Sequence, residues 1–385
     1  MEEQLYEAAL ASAYGWYDGR PVPASREALV ERLRGGERTP LVWTPETEGR
    51  LAPAWSVPYL FDAFRAHGLG RARRLALGWG AACAVLLAFA AATGQLGFGT
   101  PLPVFVFLAG VLAAHSAFQY RKFRALTPEK LRAEARAAYA RPAPRRDPAR
   151  YTQWLGAALI AVFAAQVAAV LLGGGGVGSA LGDGSGNFAA AYVGVDKDRV
   201  RAGEWWRLLS GALVHGNVIH IAFNFMAFTA LGRVLEAFAH RAFVPLVFLL
   251  AALGGGAAST VLMPHGVSVG ASGGIMGMFG FLGTMALRRG RRHLMPPGFG
   301  RALLTDIGII VAMGVVGYQF IDNAAHAGGF AAGALVGLLA VPREGDRPYW
   351  EPPRAVRLAG DAALGVLFAA AAATAGWLLA HAAGS

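Results

Sequence analysis

Five polar residues stand within or at the edges of long apolar segments of this sequence, where polar side chains are energetically expensive and mostly functional. They are His215, His220, Asn224, Ser272 and His326. A serine hydroxyl is a weak nucleophile until a neighbouring base removes its proton, and histidine is the side chain most often used as that base. Ser272 beside a histidine therefore indicates nucleophilic chemistry. The candidate bases are His326, His220, His215 and His265.

Glycines follow both Ser272 and His326 at a spacing of four residues. They are Gly273 and Gly277 after the serine, and Gly329, Gly333 and Gly337 after the histidine. Small residues at this spacing line one helix face and let two membrane helices approach closely. A direct hydrogen bond of about 2.6–3.2 Å between the two side chains requires such an approach. Either motif taken alone is more typical of plain helix packing, as in many transporters.

His220 and Asn224 are four residues apart, so on a helix they project from the same face. The imidazole N–H and the amide NH2 are both hydrogen-bond donors. Donors beside a nucleophilic serine can stabilise the oxyanion of a tetrahedral intermediate. The alternative is that the pair makes hydrogen bonds between helices that hold a bundle together.

Metal or cofactor chemistry has little support in the sequence. There is no HExxH motif, and His215 and His220 are five residues apart, so they do not share a helix face. The single cysteine, Cys83, excludes a multi-cysteine metal site. We therefore expect no metal and no cofactor. We interpret Asp306 and Asp322, which lie in or near apolar segments, as helix-end or structural residues.

The composition is that of a membrane protein. Of the 385 residues 55% are hydrophobic and 15% charged, against roughly 25% charged residues in soluble domains. A membrane-spanning helix needs about 20 mostly apolar residues. Nine segments qualify, near residues 75–95, 101–119, 152–172, 217–236, 241–263, 270–287, 302–320, 324–341 and 361–381. Because backbone polar groups in lipid must be satisfied within the segment, the sequence predicts an all-α polytopic membrane protein.

The basic residues predict how this protein is oriented. The net charge is +11, and basic runs lie near residues 71–74, 121–124, 140–150, 288–293 and 342–357. The short connections near residues 96–100, 264–269 and 321–323 contain no Lys or Arg. With the basic runs on the cytoplasmic side, the N-terminus is cytoplasmic and the polar residues lie near the outer face. The orientation in the membrane thus accounts for the excess of basic residues. We therefore expect no nucleic-acid partner.

Four regions follow from these patterns. They are a cytoplasmic N-terminal region, 1–70; two additional spans with a basic linker, 71–150; a six-helix core, 151–341; and a loop with one more span, 342–385. Within the first region, SREALVERL at 25–33 predicts a short amphipathic helix that Ser25 opens. Residues 173–216 form a long outer loop whose tryptophans favour a position partly in the membrane interface.

Taken together, the motifs resemble the signature of the rhomboid intramembrane serine proteases. They are WWR at 205–207, H-x4-H-x3-N from His215 to Asn224, GASG at 270–273 and AHAGG-xxx-G at 325–333. The resemblance covers about residues 151–341. It implies a six-helix rhomboid core with two extra N-terminal and one extra C-terminal transmembrane helices.

The resemblance also implies roles for individual residues. Ser272 would be the nucleophile and His326 the general base, in a dyad without an acidic third member. His220, Asn224 and the Ser272 amide would form the oxyanion hole, and Trp206 and Arg207 would belong to the interfacial outer loop. In this family an aromatic residue commonly stands four positions after the serine, where this chain has Met276.

The implied activity is that of an intramembrane serine endopeptidase. It would hydrolyse peptide bonds in or near transmembrane segments of membrane proteins that enter from the lipid bilayer. The expected location is a bacterial cytoplasmic membrane. Two alternatives stay open. One is a catalytically silent rhomboid-like protein that binds membrane clients. The other is a transporter, although the midplane sites and inverted repeats typical of transporters are not found in the sequence.

Overall fold

The structure is a computed structural model. It describes residues 12–17, 21–35, 41–48, 51–54, 57–94, 102–130, 149–288, 299–342 and 351–382. The chain forms two compact units, residues 1–140 with 315–317 and residues 141–314 with 318–385. The predicted connection near residues 96–100 and most of the basic segments 140–150 and 288–293 lie outside the described residues, as do residues 343–350 of the basic segment 342–357.

The described part of the first unit contains a small antiparallel sheet. Its strands are β1 (Tyr14–Tyr17), β2 (Pro21–Ala24), β3 (Leu41–Trp43) and β4 (Ala52–Pro53), in the order β2-β1-β3-β4. A 3₁₀ turn, Pro45–Thr47, separates the last two strands. None of these strands was expected from the sequence, because each has only two to four residues and prolines interrupt two of them.

Helix α1 (Arg26–Arg34) packs beside this sheet. The Ser25 hydroxyl accepts a hydrogen bond from the Ala28 N–H at 3.1 Å, which satisfies one of the free amides of the first turn. Leu29 and Leu33 are buried on one face of α1, in a cluster with Val42 of β3. The predicted amphipathic helix opened by Ser25 is thus confirmed.

The described residues of the first unit also form two long helices, α2 (Pro58–Ala92) and α3 (Leu102–Arg124). Phe64 meets the edge of the Phe123 ring at a centroid distance of 6.0 Å, and Arg65 Nε donates to the Phe123 carbonyl at 3.1 Å. Helix α2 runs without a break across residues 70 and 71, where the N-terminal region was predicted to end.

Among its described residues, the second unit contains eleven helices. They are α4 (Arg150–Leu172), α5 (Val177–Leu181), α6 (Asp183–Val193), α7 (Lys197–Arg201), α8 (Arg207–Ser210), α9 (Val218–Phe238), α10 (Phe243–Leu262), α11 (Ser272–Leu287), α12 (Phe299–Val316), α13 (Asn323–Ala340) and α14 (Arg354–Ala382). Across the described residues, eight helices of the protein are long and apolar enough to cross a membrane. The ninth predicted span, near 270–287, is the shorter apolar helix α11 of 16 residues. The fold is therefore an all-α polytopic bundle, as predicted.

Helix α11 lies at the centre of this bundle, packed against α10 and α13, and most of its residues are buried. The extra C-terminal helix α14 packs along α4 and α10. Large side chains fill the core between the helices, among them Phe228, Phe243, Phe248, Phe281 and Leu282. The core thus surrounds the helix that carries Ser272.

The predicted outer loop, residues 173–216, is a folded segment that contains α5 to α8. Strand β5 (Val195–Asp196) pairs antiparallel with β6 (Val267–Ser268), with Val195 opposite Ser268. This two-stranded ladder ties the segment to the residues that immediately precede Ser272.

Candidate active site

Ser272 is the first residue of α11 and follows a sharp turn after β6. Gly270 occupies this turn with a φ of +127°, a conformation that residues with a side chain rarely adopt. A Cβ at position 270 would lie 2.8 Å from Cε1 of His220. The Gly270 N–H donates to the Gly211 carbonyl at 2.9 Å and holds the turn in place.

His326 lies in the first turn of α13, and its side chain meets Ser272. The distance from His326 Nε2 to Ser272 Oγ is 2.8 Å. The residue before this helix, Asp322, accepts the Ala325 N–H at 2.9 Å, and its carbonyl accepts the His326 N–H at 3.1 Å. The predicted serine and histidine are thus within hydrogen-bond distance, with the hydroxyl placed to donate to Nε2.

Close packing of α11 against α13 makes this distance possible. A methyl group at Gly329 would overlap the Gly273 carbonyl, and one at Gly333 would overlap the Gly277 carbonyl. The two glycine faces predicted from the sequence therefore face each other. Only hydrogen atoms separate the two backbones along this line.

His220 and Asn224 lie on one face of α9, beside Gly270. The Cβ position of Gly270 is 2.9 Å from His220 Nε2 and 3.8 Å from Asn224 Nδ2. His220 Nδ1 accepts the Gly216 N–H at 3.3 Å, so in the neutral ring Nε2 carries the proton and is the donor. Asn224 Nδ2 gives one hydrogen to the His220 carbonyl at 3.1 Å and keeps a second.

The start of α11 adds a third donor. The first four N–H groups of an α-helix have no acceptor within the helix, and the helix dipole makes this end electropositive. The Ser272 N–H belongs to this group, since Ser272 is the first helical residue. Negative charge that develops beside Ser272 would meet this amide together with the side-chain donors of α9.

His215 supports the turn and is not placed as the base. It is fully buried, and its Nε2 accepts the Ala271 N–H at 3.4 Å. Burial, with a smaller contribution from the nearby His220 ring, lowers the pKa of His215 well below its usual value. His265, another candidate base, is exposed and pairs with Asp198 at 3.2 Å. Of the four histidines considered, His326 is the one bonded to Ser272.

Gln166 is a site residue that the sequence analysis missed. It is fully buried on α4, where its Oε1 accepts the His215 N–H at 3.0 Å and its Nε2 donates to the His215 carbonyl at 2.9 Å. The signal was available, because Gln166 is a polar residue in the apolar run AVFAAQVAAV.

Asp322 is the N-cap of α13, which confirms its interpretation as a helix-end residue. It also binds Ser259, Ser268 and Lys197, three contacts that no local pattern indicated. Asp306 lies inside α12 and is exposed. No cluster of three or more His, Cys, Asp or Glu side chains that could hold a metal occurs among the described residues.

The tryptophans and the arginine of the outer segment differ in exposure. Trp205 and Trp206 are exposed, whereas the Arg207 side chain is buried. Arg207 Nε donates to Glu204 at 2.6 Å and Nη1 to the Gly194 carbonyl at 3.2 Å. Arg207 thus holds the segment together and leaves the indole rings on its surface.

Met276, one turn after Ser272, is buried in the core.

Comparison with known proteins points to one family. A family model described as "Rhomboid domain" matches residues 202–343. "Rhomboid protease GluP" of Bacillus subtilis (strain 168) is 34% identical over 154 residues, which cover 38% of this chain and 29% of that protein. "RHOMBOID-like protein 5" of Arabidopsis thaliana is 34% identical over 165 residues, 41% of this chain and 52% of that protein.

A further relative is matched over most of its length. "Putative rhomboid protease YdcA" of Bacillus subtilis (strain 168) is 32% identical over 151 residues, which cover 39% of this chain and 74% of that protein. For GluP and RHOMBOID-like protein 5, by contrast, the matched region spans about half of the relative or less. The residues that the family model matches include Ser272, His326, His220 and Asn224. With its matching motifs and its polytopic helical bundle, the chain belongs to the rhomboid family.

Proposed function

We propose that this chain is an intramembrane serine endopeptidase that cleaves membrane proteins in or near their transmembrane segments. The observation that carries the proposal is the 2.8 Å contact between Ser272 Oγ and His326 Nε2 at the ends of two apolar helices. A hydroxyl bonded to an imidazole nitrogen is the arrangement that activates a serine nucleophile.

In the proposed first half-reaction, Ser272 Oγ attacks the carbonyl carbon of the substrate peptide bond while its proton passes to His326 Nε2. The carbonyl oxygen becomes an oxyanion, which the His220 Nε2–H, the Asn224 amide and the Ser272 N–H would stabilise. The C–N bond then breaks, and His326 returns the proton to the leaving amine. An acyl-enzyme ester on Ser272 remains.

In the second half-reaction, His326 takes a proton from a water molecule that attacks the ester carbon. A second oxyanion forms against the same donors and collapses to release the new carboxyl terminus. The proton returns to Ser272 Oγ, so the enzyme is regenerated. Apart from the substrate and one water molecule, the scheme uses only side chains and backbone groups of this chain.

The position of the dyad supports access to both water and substrate. Ser272 and His326 lie in the first turns of their helices, and His220 lies in the first turn of α9. Arg288 binds the Val341 and Leu338 carbonyls at the opposite ends of α11 and α13. With arginine on the cytoplasmic side, this arrangement supports our proposal that the dyad lies near the outer face of a bacterial cytoplasmic membrane and that the N-terminus is cytoplasmic.

The proposal is tested by the variants Ser272→Ala and His326→Ala. Each purified protein is reconstituted in liposomes with a fluorescently tagged single-span substrate, and product is measured over time. Both variants are expected to lose cleavage, because one lacks the nucleophile and the other the base. Retention of full activity in either variant, with folding verified by thermal unfolding, would refute the dyad.

Asn224→Ala tests the proposed oxyanion donor. We expect kcat to fall by about 10²-fold, since one donor among several is removed, while KM changes little. If turnover stays at the wild-type value, Asn224 has only a structural role in α9. If no variant and no wild-type protein cleaves any substrate, the catalytically silent, client-binding alternative gains support.

A further inference from the structure

A buried charge pair lies close to the dyad without touching it. Lys197 Nζ is 3.6 Å from Asp322 Oδ2, and the two side chains are only 3% and 15% exposed. The Ser268 hydroxyl lies between them: it accepts a hydrogen bond from Lys197 and donates one to Asp322. The Ser259 hydroxyl of α10 donates to the same carboxylate oxygen.

This cluster joins the two chain segments that carry the dyad. Ser268 ends β6, four residues before Ser272. Asp322 caps α13, four residues before His326. Lys197 opens α7, directly after β5, which pairs with β6. If the chain moved at Ser268 or at Asp322, a hydrogen bond or the ion pair of the cluster would break.

The carboxylate is held in its charged form. Burial alone would raise the pKa of Asp322, but hydrogen bonds from Ser259, Ser268 and the Ala325 amide, together with Lys197, lower it below its usual value. Burial lowers the pKa of Lys197, and Asp322 opposes this effect. Removal of one partner from a buried ion pair leaves an uncompensated charge, so the two side chains depend on each other.

We propose that Lys197, Asp322 and Ser268 are positioning residues that set the distance between Ser272 and His326. The inference rests on the proposed dyad and deepens it. A misplacement of reacting groups by about 1 Å can cost about 10²-fold in rate. The cluster binds the chain four residues before Ser272 and four residues before His326. It therefore restricts such a displacement of the two side chains.

The decisive variant is Asp322→Asn. Asparagine caps helices as well as aspartate, so the bond to the Ala325 N–H is kept while the charge that pairs with Lys197 is lost. The full-length protein in proteoliposomes is treated with a fluorophosphonate probe, which reacts with activated serines. The labelling amplitude gives the fraction of protein molecules whose serine can react, and the rate constant reports the reactivity of Ser272. Hydrolysis of the single-span substrate gives kcat and KM.

We expect the labelling rate constant and kcat to fall by about 10- to 100-fold, while the labelling amplitude and KM stay within twofold of wild type. Lys197→Met should behave similarly. The double variant should lose no more than the more impaired single variant, because the two residues act as a pair. Arg199→Met is the matched control: it removes an exposed cation from the same helix, and it should leave the rate unchanged.

Other outcomes separate the possible failures. A lower labelling amplitude with an unchanged rate constant would mean that the cluster only stabilises the fold, and would overturn the inference. If Asp322→Asn does not fold, Ser268→Ala decides: it removes the bridging hydroxyl, keeps the ion pair, and must slow labelling for the inference to stand. If the wild-type protein neither labels at Ser272 nor cleaves substrate, the proposed function itself fails.

Discussion

At the scale of single residues, an uncharged side chain supports the turn before the proposed nucleophile. Gln166 binds both the N–H and the carbonyl of His215, and the His215 ring accepts the Ala271 N–H. A continuous series of hydrogen bonds therefore runs from the middle of α4 to the residue next to Ser272. In the low dielectric of the interior, each further loss of a partner from such a network is costly.

Gln166→Met tests this support. The substitution nearly preserves side-chain volume but leaves two buried backbone groups of His215 without partners, at a cost of about 1–3 kcal/mol each. We expect a lower thermal unfolding midpoint in detergent and slower fluorophosphonate labelling. Gln153→Met, at an exposed position of the same helix, is the control. Equal unfolding midpoints for the two variants would show that the contacts contribute nothing.

At the scale of elements, the contact between α11 and α13 determines the geometry of the dyad. Glycine faces bring the two backbones together, and the serine and histidine project from the first turns at the same end of this contact. The distance between the reacting atoms thus depends on residues one to three turns away, which have no chemical function of their own.

Gly333→Ala should separate the two helices. The added methyl group would overlap the Gly277 carbonyl, and overpacking of this kind costs about 1–3 kcal/mol. Because the helices must move apart, we expect labelling of Ser272 to slow as the unfolding midpoint falls. Gly376→Ala in α14 is the control, since its Cβ would enter open space. Wild-type labelling in Gly333→Ala would contradict the proposed importance of close approach.

At the scale of the whole molecule, the extra C-terminal helix belongs to the same compact unit as the site. Helix α14 buries Leu367 and Leu378, and its Asp361 accepts a hydrogen bond from the Tyr151 hydroxyl of α4 at 2.6 Å. The proposed dyad, the donors of α9 and the Lys197–Asp322 pair all lie in that unit. The first unit has its own hydrophobic cluster around α1 and the sheet.

Truncation should therefore affect the two ends differently. A chain that begins at residue 141 is expected to retain labelling of Ser272, because the residues of the proposed site all belong to the second unit. A chain that ends at residue 342 is expected to lose labelling and stability, because the faces of α4 and α10 that pack on α14 would be uncovered. The reverse result would mean that the first unit completes the site.

The sequence predicted the long apolar helices well, because a span of about 20 residues is a strong signal even without tertiary contacts. It also indicated the partners Ser272 and His326 through their glycine spacing and the family resemblance. The pair Lys197 and Asp322 could not be predicted, because only the fold brings these distant positions together. The strands of the first unit escaped prediction because they are too short and rich in proline for a periodic pattern.

Cleavage in water labelled with oxygen-18 tests the central proposal most directly. Wild-type protein and Ser272→Ala are reconstituted in separate liposomes with a single-span substrate. The masses of the products are then measured by mass spectrometry. We predict that only the wild-type protein releases two fragments, that the cut lies in or beside the spanning segment, and that the new carboxyl terminus contains oxygen-18. Fragments of the same mass from Ser272→Ala, or an intact substrate with folded wild-type protein across a panel of substrates, would contradict the assignment of Ser272 as a proteolytic nucleophile.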